Sequence, residues 1–270
     1  MITSINEFKK TIWQNYTTQG RIFDWRHADD PYKIFVSEVM LQQTQTQRVT
    51  QKYIQWITVF PDFKTLAQAS LKDVLAQWQG LGYNRRGLFL HKAAQIIASE
   101  YDGNLPNDRE ILEGLPGIGK ATAASIRAFA FNEPTVFIET NIRTVFIYFF
   151  FPSRDNVHDN EVMPLVMQTV DPKNPREWYY ALMDYGVMLK KRFKNPSRKS
   201  IHHHQQSKFE GSDRQIRGMI LKILTAADEP IDEKKLTDII GKDHVRVKKI
   251  IDQLVDEKFI GRRGDTVSIA

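Results

Sequence analysis

From Leu115 to Ser125 the chain reads Leu-Pro-Gly-Ile-Gly-Lys-Ala-Thr-Ala-Ala-Ser, and an acidic residue, Glu139, stands 20 positions beyond Gly119. A short glycine-rich turn, then a helix opening on a basic residue and small side chains, can grip a phosphate. Backbone N–H groups and the positive end of the helix face the anion, and glycine lets the chain come close. Gly117, Gly119, Lys120 and Thr122 are the candidate contacts. Glu139 adds a carboxylate that could act on what is held there, or simply cap a helix starting near Asn141. A second carboxylate, Glu38, sits beside Val39 and close to Phe35 in an amphipathic stretch. Facing solvent it would be an ordinary surface acid. In a cleft, desolvation would raise its pKa and keep a proton available for general acid work.

The elements that must position these groups are helical. Apolar residues recur at helical spacing up to about residue 190, and the pattern predicts helices over 5–15, 31–45, 49–58, 70–77, 85–101, 108–113, 120–131, 141–150, 159–169 and 175–190. Pro31 suits a helix start, Ser70 an N-cap, and Pro61 and Asp102-Gly103 chain breaks. No strand of weight is predicted in this part, so an all-α body is expected over residues 1–194, with a helix–hairpin–helix at 108–131. Residues 195–212 are polar, basic and rich in Ser, His and Gln, and read as a linker or DNA-facing loop. Over 213–270 three helices (214–226, 232–239 and 245–258) precede an alternating segment around Gly264-Asp265, which reads as a hairpin. Three helices and a terminal hairpin describe a winged-helix-like domain.

Composition narrows the class. A hydrophobic share of 41% with 26% charged residues is that of a globular protein. The longest apolar run, 145–152, is too short to span a bilayer, so no membrane partner is expected. The N-terminus carries no basic-then-apolar signal, which makes a cytoplasmic, nucleoid-associated location the expectation; a monomer is the default. Between Lys190 and Arg217 there are nine Lys or Arg against two acids, enough to account for the net charge of +6. This directs a polyanion to Lys190, Lys191, Arg192 and Lys199. Residues 213–270 are nearly balanced in charge, which argues against base reading there. With no cysteine in the sequence, disulfides, a thiolate nucleophile and a cysteine-ligated iron–sulfur cluster are excluded. His202, His203 and His204 are consecutive in an irregular segment and would not converge on one metal ion.

Four stretches, Ser37-Glu-Val-Met-Leu-Gln-Gln-Thr-Gln45, Trp78-Gln-Gly-Leu-Gly-Tyr83, Leu90-His-Lys-Ala-Ala94 and Leu115-Pro-Gly-Ile-Gly119, resemble the adenine-specific mismatch DNA glycosylases of the helix–hairpin–helix superfamily. The likeness covers roughly residues 5–190. It implies an enzyme that flips a nucleotide out of double-stranded DNA and removes its base; with no cysteine to hold a cluster, no cofactor is expected. On this resemblance Glu38 protonates the departing adenine and Glu139 stabilises the sugar cation, a pair suited to breaking an N-glycosidic bond. Gln42 and Gln43 fill the space left by the flipped base, and Tyr83 wedges into the strand. Trp25, Arg26 and Asp184 line the base pocket. A monovalent cation, Na+ or K+, is implied at the carbonyls of Leu115 and Gly117. From the residues alone, Asp184 could equally be a helix-surface acid and Tyr83 a packing residue.

Three departures accompany the resemblance. Glutamate stands at position 139, where the family has aspartate. A cysteine-free basic run occupies the place of the family's four-cysteine [4Fe–4S] loop, as in clusterless relatives. The family's domain that recognises 8-oxoguanine is replaced by the winged-helix-like segment. Ala121 occupies the position of the Schiff-base lysine of the superfamily's lyases, so a monofunctional glycosylase is expected. Two rivals remain: a glycosylase for another base (hypoxanthine, uracil or thymine opposite guanine, or a damaged purine), and a non-catalytic sensor of distorted DNA.

Overall fold

The computed structural model describes residues 4–270; residues 1–3 of the expected body lie outside the described residues. The helices follow in chain order as α1 (Ile5–Gln19), α2 (Pro31–Leu41), α3 (Thr46–Val59), α4 (Phe63–Gln68), α5 (Leu71–Trp78), α6 (Arg85–Glu100), α7 (Arg109–Gly114), α8 (Lys120–Phe131), α9 (Thr140–Phe150), α10 (Asp159–Thr169) and α11 (Pro175–Arg192). Then come α12 (Asp213–Ala226), β1 (Ile231–Asp232), α13 (Glu233–Ile240), α14 (His244–Asp256), β2 (Ile260–Arg263) and β3 (Thr266–Ile269), with 3-10 turns at Asp24–Arg26 and Pro196–Lys199. The helix starts are written locally. Ser4, Asp62, Ser70, Asp232 and Asp243 each accept a backbone N–H of the following first turn, satisfying donors with no partner within the helix.

The chain forms two compact units. One comprises residues up to 38, 107–114 and 118–205; the other comprises 39–106, 115–117 and 206–270. In the first, α9 and α11 run together over buried Val145, Phe146, Ile147, Trp178 and Tyr179, with Phe8 and Ile12 of α1. The rings of Phe8 and Phe146 lie 5.2 Å apart. Gly186 is required for the close approach of α11 to α9, since a Cβ there would lie 2.6 Å from the Asn141 carbonyl oxygen. The start of the basic segment belongs to this unit and is folded. Pro196 and Ser197 are buried, Ser200 bridges to Val157, and the His158 and His202 rings meet edge to face at 4.7 Å. Over 196–202 the segment expected as a linker or DNA-facing loop packs on its own unit through Pro196, Ser197 and Ser200.

In the second unit, α12, α13, α14 and the strands share one apolar core with Leu75 of α5 and Leu88 of α6. The sheet is antiparallel in the order β1-β3-β2, with Arg262 opposite Val267; the three helices and the terminal hairpin are present, with the short strand β1 added between α12 and α13. Glu257 ties this domain to α6: it accepts from Arg217 Nη2 at 2.6 Å and from Arg85 Nε at 2.9 Å. The hydrogen bond from Arg85, followed by that from Arg217, brings its pKa down to about 2 against the effect of burial.

Two local expectations are corrected. The helix predicted over 31–45 ends at Leu41, because Gln43 adopts a left-handed φ of 54°; the glutamine cluster therefore sits on a turn rather than a helix face. The six-residue α4 was not anticipated. Its start is Asp62 and its buried residues are only Phe63 and Leu66, too short a pattern for periodicity to register.

Candidate active site

Glu38, near the end of α2, faces α8. Ser125 Oγ, itself buried, lies 2.6 Å from Glu38 Oε2 and 3.0 Å from the carbonyl oxygen of Thr122. A hydroxyl has one proton to give. With Glu38 ionised, Ser125 donates to it; with Glu38 protonated, the carboxyl donates to Ser125 and Ser125 to Thr122. Burial pushes the Glu38 pKa up to about 7; the Ser125 hydrogen bond opposes this and the negative charge of Glu139 adds to it. Such a group is a proton donor at neutral pH.

Tyr180, near enough to feel the charge of Glu38, belongs to a cluster of aromatic and ionic side chains. Tyr180 stacks on Phe129 at 4.6 Å, and the Arg26 guanidinium lies 4.4 Å from the Tyr180 ring centre. Burial raises the Tyr180 pKa, with the Glu38 charge adding. Trp25 stacks on Phe23 at 4.7 Å. Asp184 is saturated: Oδ1 accepts from Arg21 Nε and Arg26 Nη2, both at 2.7 Å, and Oδ2 accepts from the Arg21 backbone at 2.7 Å and Arg26 Nη1 at 2.9 Å. Burial would raise its pKa, but the hydrogen bonds and charge of Arg26, then Arg21, hold it below the ordinary value. Asp184 therefore clamps Arg26 and the 3-10 turn in place. It has no lone pair aimed elsewhere.

Glu139 is the N-cap of α9. Its Oε1 accepts from the backbone of Asn141 at 2.7 Å and of Ile142 at 2.9 Å, and Oε2 accepts from Asn141 Nδ2 at 3.2 Å. The capping alternative is thus realised, and it leaves the carboxylate fixed at the helix start. Asn141 Oδ1 in turn accepts from Lys190 Nζ at 2.7 Å. Burial lowers the Lys190 pKa, opposed by the charge of Glu139, while Arg143 lowers it further. Lys190 is consequently half-buried in the Glu139 network. Lys199 Nζ donates to the Pro152 carbonyl at 2.5 Å. Lys120, Lys191 and Arg192 are exposed, as are Gly117 and Gly119; Thr122 is half-buried.

In the second unit the expected DNA-entry residues occupy turns. Gln42 Nε2 is 3.5 Å from the Gly117 carbonyl oxygen, and Gln43 Oε1 accepts from Gln206 Nε2 at 3.3 Å. Gly117 has φ +79°, and a Cβ there would meet Phe89 Cβ at 3.0 Å, so only glycine fits. Tyr83 has φ 48° and is preceded by Gly82 at φ 73° and Gly80 at φ 90°. Such backbone costs a non-glycine residue about 1–3 kcal/mol and persists when its surroundings over-determine it. Arg86 supplies that. Its Nη1 donates to the Val39 and Met40 carbonyls at 3.0 and 2.9 Å, and its Nη2 reaches Thr44 Oγ1 at 2.8 Å and the Leu81 and Gly82 carbonyls at 3.1 Å. Trp78 Nε1 also donates to Gly82 at 3.0 Å.

Sequence reasoning missed Ser125, Asn141, Arg86 and Gly186 as contributors. Only Asn141, two positions past the acid, carried a local signal. Among the described residues no cluster of three or more His, Asp or Glu side chains could hold a metal ion, and no helix is long and apolar enough to cross a membrane.

Residues 36–172 match the family described as HhH-GPD superfamily base excision DNA repair protein. The adenine DNA glycosylase of Mycobacterium tuberculosis is 31% identical over 92% of this chain and 90% of its own length. That of Buchnera aphidicola is 34% identical over 67% of this chain, which spans about half (52%) of the Buchnera protein. A solved thermostable thymine-DNA glycosylase superposes with a TM-score of 0.62 at 25% identity, covering 68% of this chain and 86% of that one. An endonuclease III–DNA complex, at TM-score 0.57 and 16% identity over 68% of this chain and 86% of its own, shares the fold. The chain belongs to the HhH-GPD superfamily of base excision DNA repair proteins.

Proposed function

We propose that the protein is a monofunctional DNA glycosylase that hydrolyses the N-glycosidic bond of a flipped, mispaired adenine, opposite 8-oxoguanine or guanine, and leaves an abasic site. The carrying observation is Glu38, a half-buried carboxyl whose pKa desolvation pushes up to about 7, with the fixed carboxylate of Glu139 close enough to add to the rise. Glu38 gives its proton to a ring nitrogen of adenine as the bond to C1′ breaks, so the base leaves neutral. Glu139 stabilises the positive charge that develops on the sugar. Water bonds to C1′ and its proton returns to Glu38. Ala121 at the start of α8 offers no amine, which favours hydrolysis over a lyase reaction.

Trp25, Arg26 and Tyr180 form the base pocket in this reading, with Asp184 locking Arg26. Gln42, Gln43 and Tyr83 enter the duplex. Exposed Lys120, Lys191 and Arg192, with the backbone at Gly117 and Gly119, meet phosphates. A monovalent cation at the Leu115 and Gly117 carbonyls belongs with the same reading; the 3.5 Å contact from Gln42 is weak enough to yield to it. Double-stranded DNA is the partner, a monomer the working state, and the cytoplasm the site of action.

Single-turnover base release from duplexes carrying adenine opposite 8-oxoguanine, guanine and cytosine, or uracil, thymine and hypoxanthine opposite guanine, tests the reading. Glu38→Gln and Glu139→Gln are each expected to slow adenine release by about 10²–10⁴-fold. Release by the parent should fall as pH rises through about 7, where Glu38 loses its proton. Release of thymine in preference, a reading favoured by the thymine-DNA glycosylase likeness, would keep the mechanism and replace the base. Tight mismatch binding without release of any base would establish a sensor instead.

A further inference from the structure

The wedge loop of the second unit is held from two directions, and one of them is the C-terminal domain. Arg214, on the first turn of α12, donates from Nη1 to the Tyr83 hydroxyl at 2.9 Å, with its guanidinium carbon 5.6 Å from the Tyr83 ring centre. Its other nitrogen, Nη2, donates to the Ser207 carbonyl at 2.8 Å and to Ser207 Oγ at 3.2 Å. Arg86 lies 5.6 Å from the same ring, so the tyrosine is bracketed by two cations. The bracket is anchored. Ile216, Ile220, Leu221 and Leu224 of α12 are buried in the core that includes Leu75 and Leu88, and Glu257 bridges Arg217 to Arg85, two residues past Tyr83. Just upstream of α12, Gln206 reaches the exposed Gln43.

We propose that the C-terminal domain sets the intercalating side chain: Arg214 is a positioning residue that fixes Tyr83 in its left-handed, outward pose, with Gln206 doing the same for Gln43. A tyrosine in a glycine-flanked turn has many orientations, and a planar guanidinium bound to its hydroxyl and within cation–π reach of its ring selects one. The pose is then present before DNA arrives, so the entropy of ordering the wedge is not charged to the flipping step. The domain's near-neutral charge balance suits this internal role.

This inference rests on the glycosylase reading, and its test separates the two. In the full-length chain, Arg214→Ala, Arg214→Lys, Tyr83→Phe and the Arg214→Ala/Tyr83→Phe pair are compared with the parent on two duplexes. One carries mispaired adenine in continuous strands; the other carries adenine opposite a one-nucleotide gap, where no strand needs parting. Arg214→Ala should slow release about tenfold on the continuous duplex and leave the gapped duplex within about twofold. Tyr83→Phe, which leaves α12 untouched, should show a smaller loss with the same duplex preference, and adding Arg214→Ala to it should cost less than in the parent. Equal losses on both duplexes, no loss, or full rescue by Arg214→Lys would overturn the positioning role, the last by showing that charge alone suffices. Should the parent release no base, the glycosylase reading fails by itself. The positioning role is then read from affinity, where Arg214→Ala must weaken binding to mismatched duplex more than to matched duplex.

Discussion

The two units handle polar groups in opposite ways. In the first, the candidate side chains sit within or at the start of long helices and are held there: Asp184 by two arginines, Glu139 by a helix start, Glu38 by one buried hydroxyl on one of its oxygens. In the second, the residues assigned to DNA entry stand on short turns in left-handed backbone, at Gln43 and Tyr83, with exposed side chains. Chemistry on a charged transition state rewards fixed dipoles, because nothing need reorganise as charge develops. Opening a duplex rewards a protruding group on backbone that will not recoil. Helices supply the first and a strained, clamped loop the second.

If that contrast is right, the second unit depends on residues far along the chain. Removing residues 206–270 would expose Leu75 and Leu88 and strip Tyr83 of Arg214. The expected outcome is complete loss of base release and a broadened, non-cooperative thermal transition by circular dichroism. A truncated chain that melts cooperatively and binds mismatched DNA like the parent would show that the second unit does not depend on residues 206–270. The next effect is in the first unit. Gly186→Ala places a methyl 2.6 Å from the Asn141 carbonyl oxygen, an overpacking worth about 1–3 kcal/mol. Because Asn141 hydrogen-bonds both Glu139 and Lys190, the displacement should slow release by about a hundredfold, with a lower melting temperature. A melting loss with the rate intact would mean that the Glu139 network tolerates movement.

The difference between the units also explains what the sequence disclosed. Helices with a full apolar face, such as α8 and α10, were legible to the residue, and the terminal hairpin was legible from Gly264-Asp265. Glu38 is singled out because its motif resembles a known family, and Glu139 because it falls at that family's acidic position; neither residue's surroundings could be read from the sequence. Whether Asp184 is a free acid or a clamp depends on Arg21 and Arg26, more than 150 positions away. Lys190 and Lys199 read as a basic run, yet each finds an acceptor within its own unit, at Asn141 and Pro152. The division into units was hidden for the same reason: residues 39–106 and 206–270 share a core across a hundred intervening positions. Nothing in the sequence around Tyr83 points to the arginine that holds it.

The smallest expected effect is the sharpest probe of the catalytic side. Ser125 opposes the upward push that burial gives Glu38, because its hydroxyl stabilises the ionised form. Replacing it with alanine removes that donor and leaves desolvation and the Glu139 charge in force, so the Glu38 pKa should rise above about 7. An acid catalyst is competent below its pKa and fails above it. The alkaline limb of the rate profile in Ser125→Ala should therefore move to higher pH, while the low-pH plateau falls only about two- to fivefold through looser placement of the carboxyl. At alkaline pH the variant would then approach or exceed the parent. A cavity defect or a purely structural serine would lower the rate equally at every pH. A single-turnover profile from pH 5.5 to 9 separates these outcomes, and a limb that does not move would remove Ser125 from the proton's path and leave Glu38 governed by burial alone.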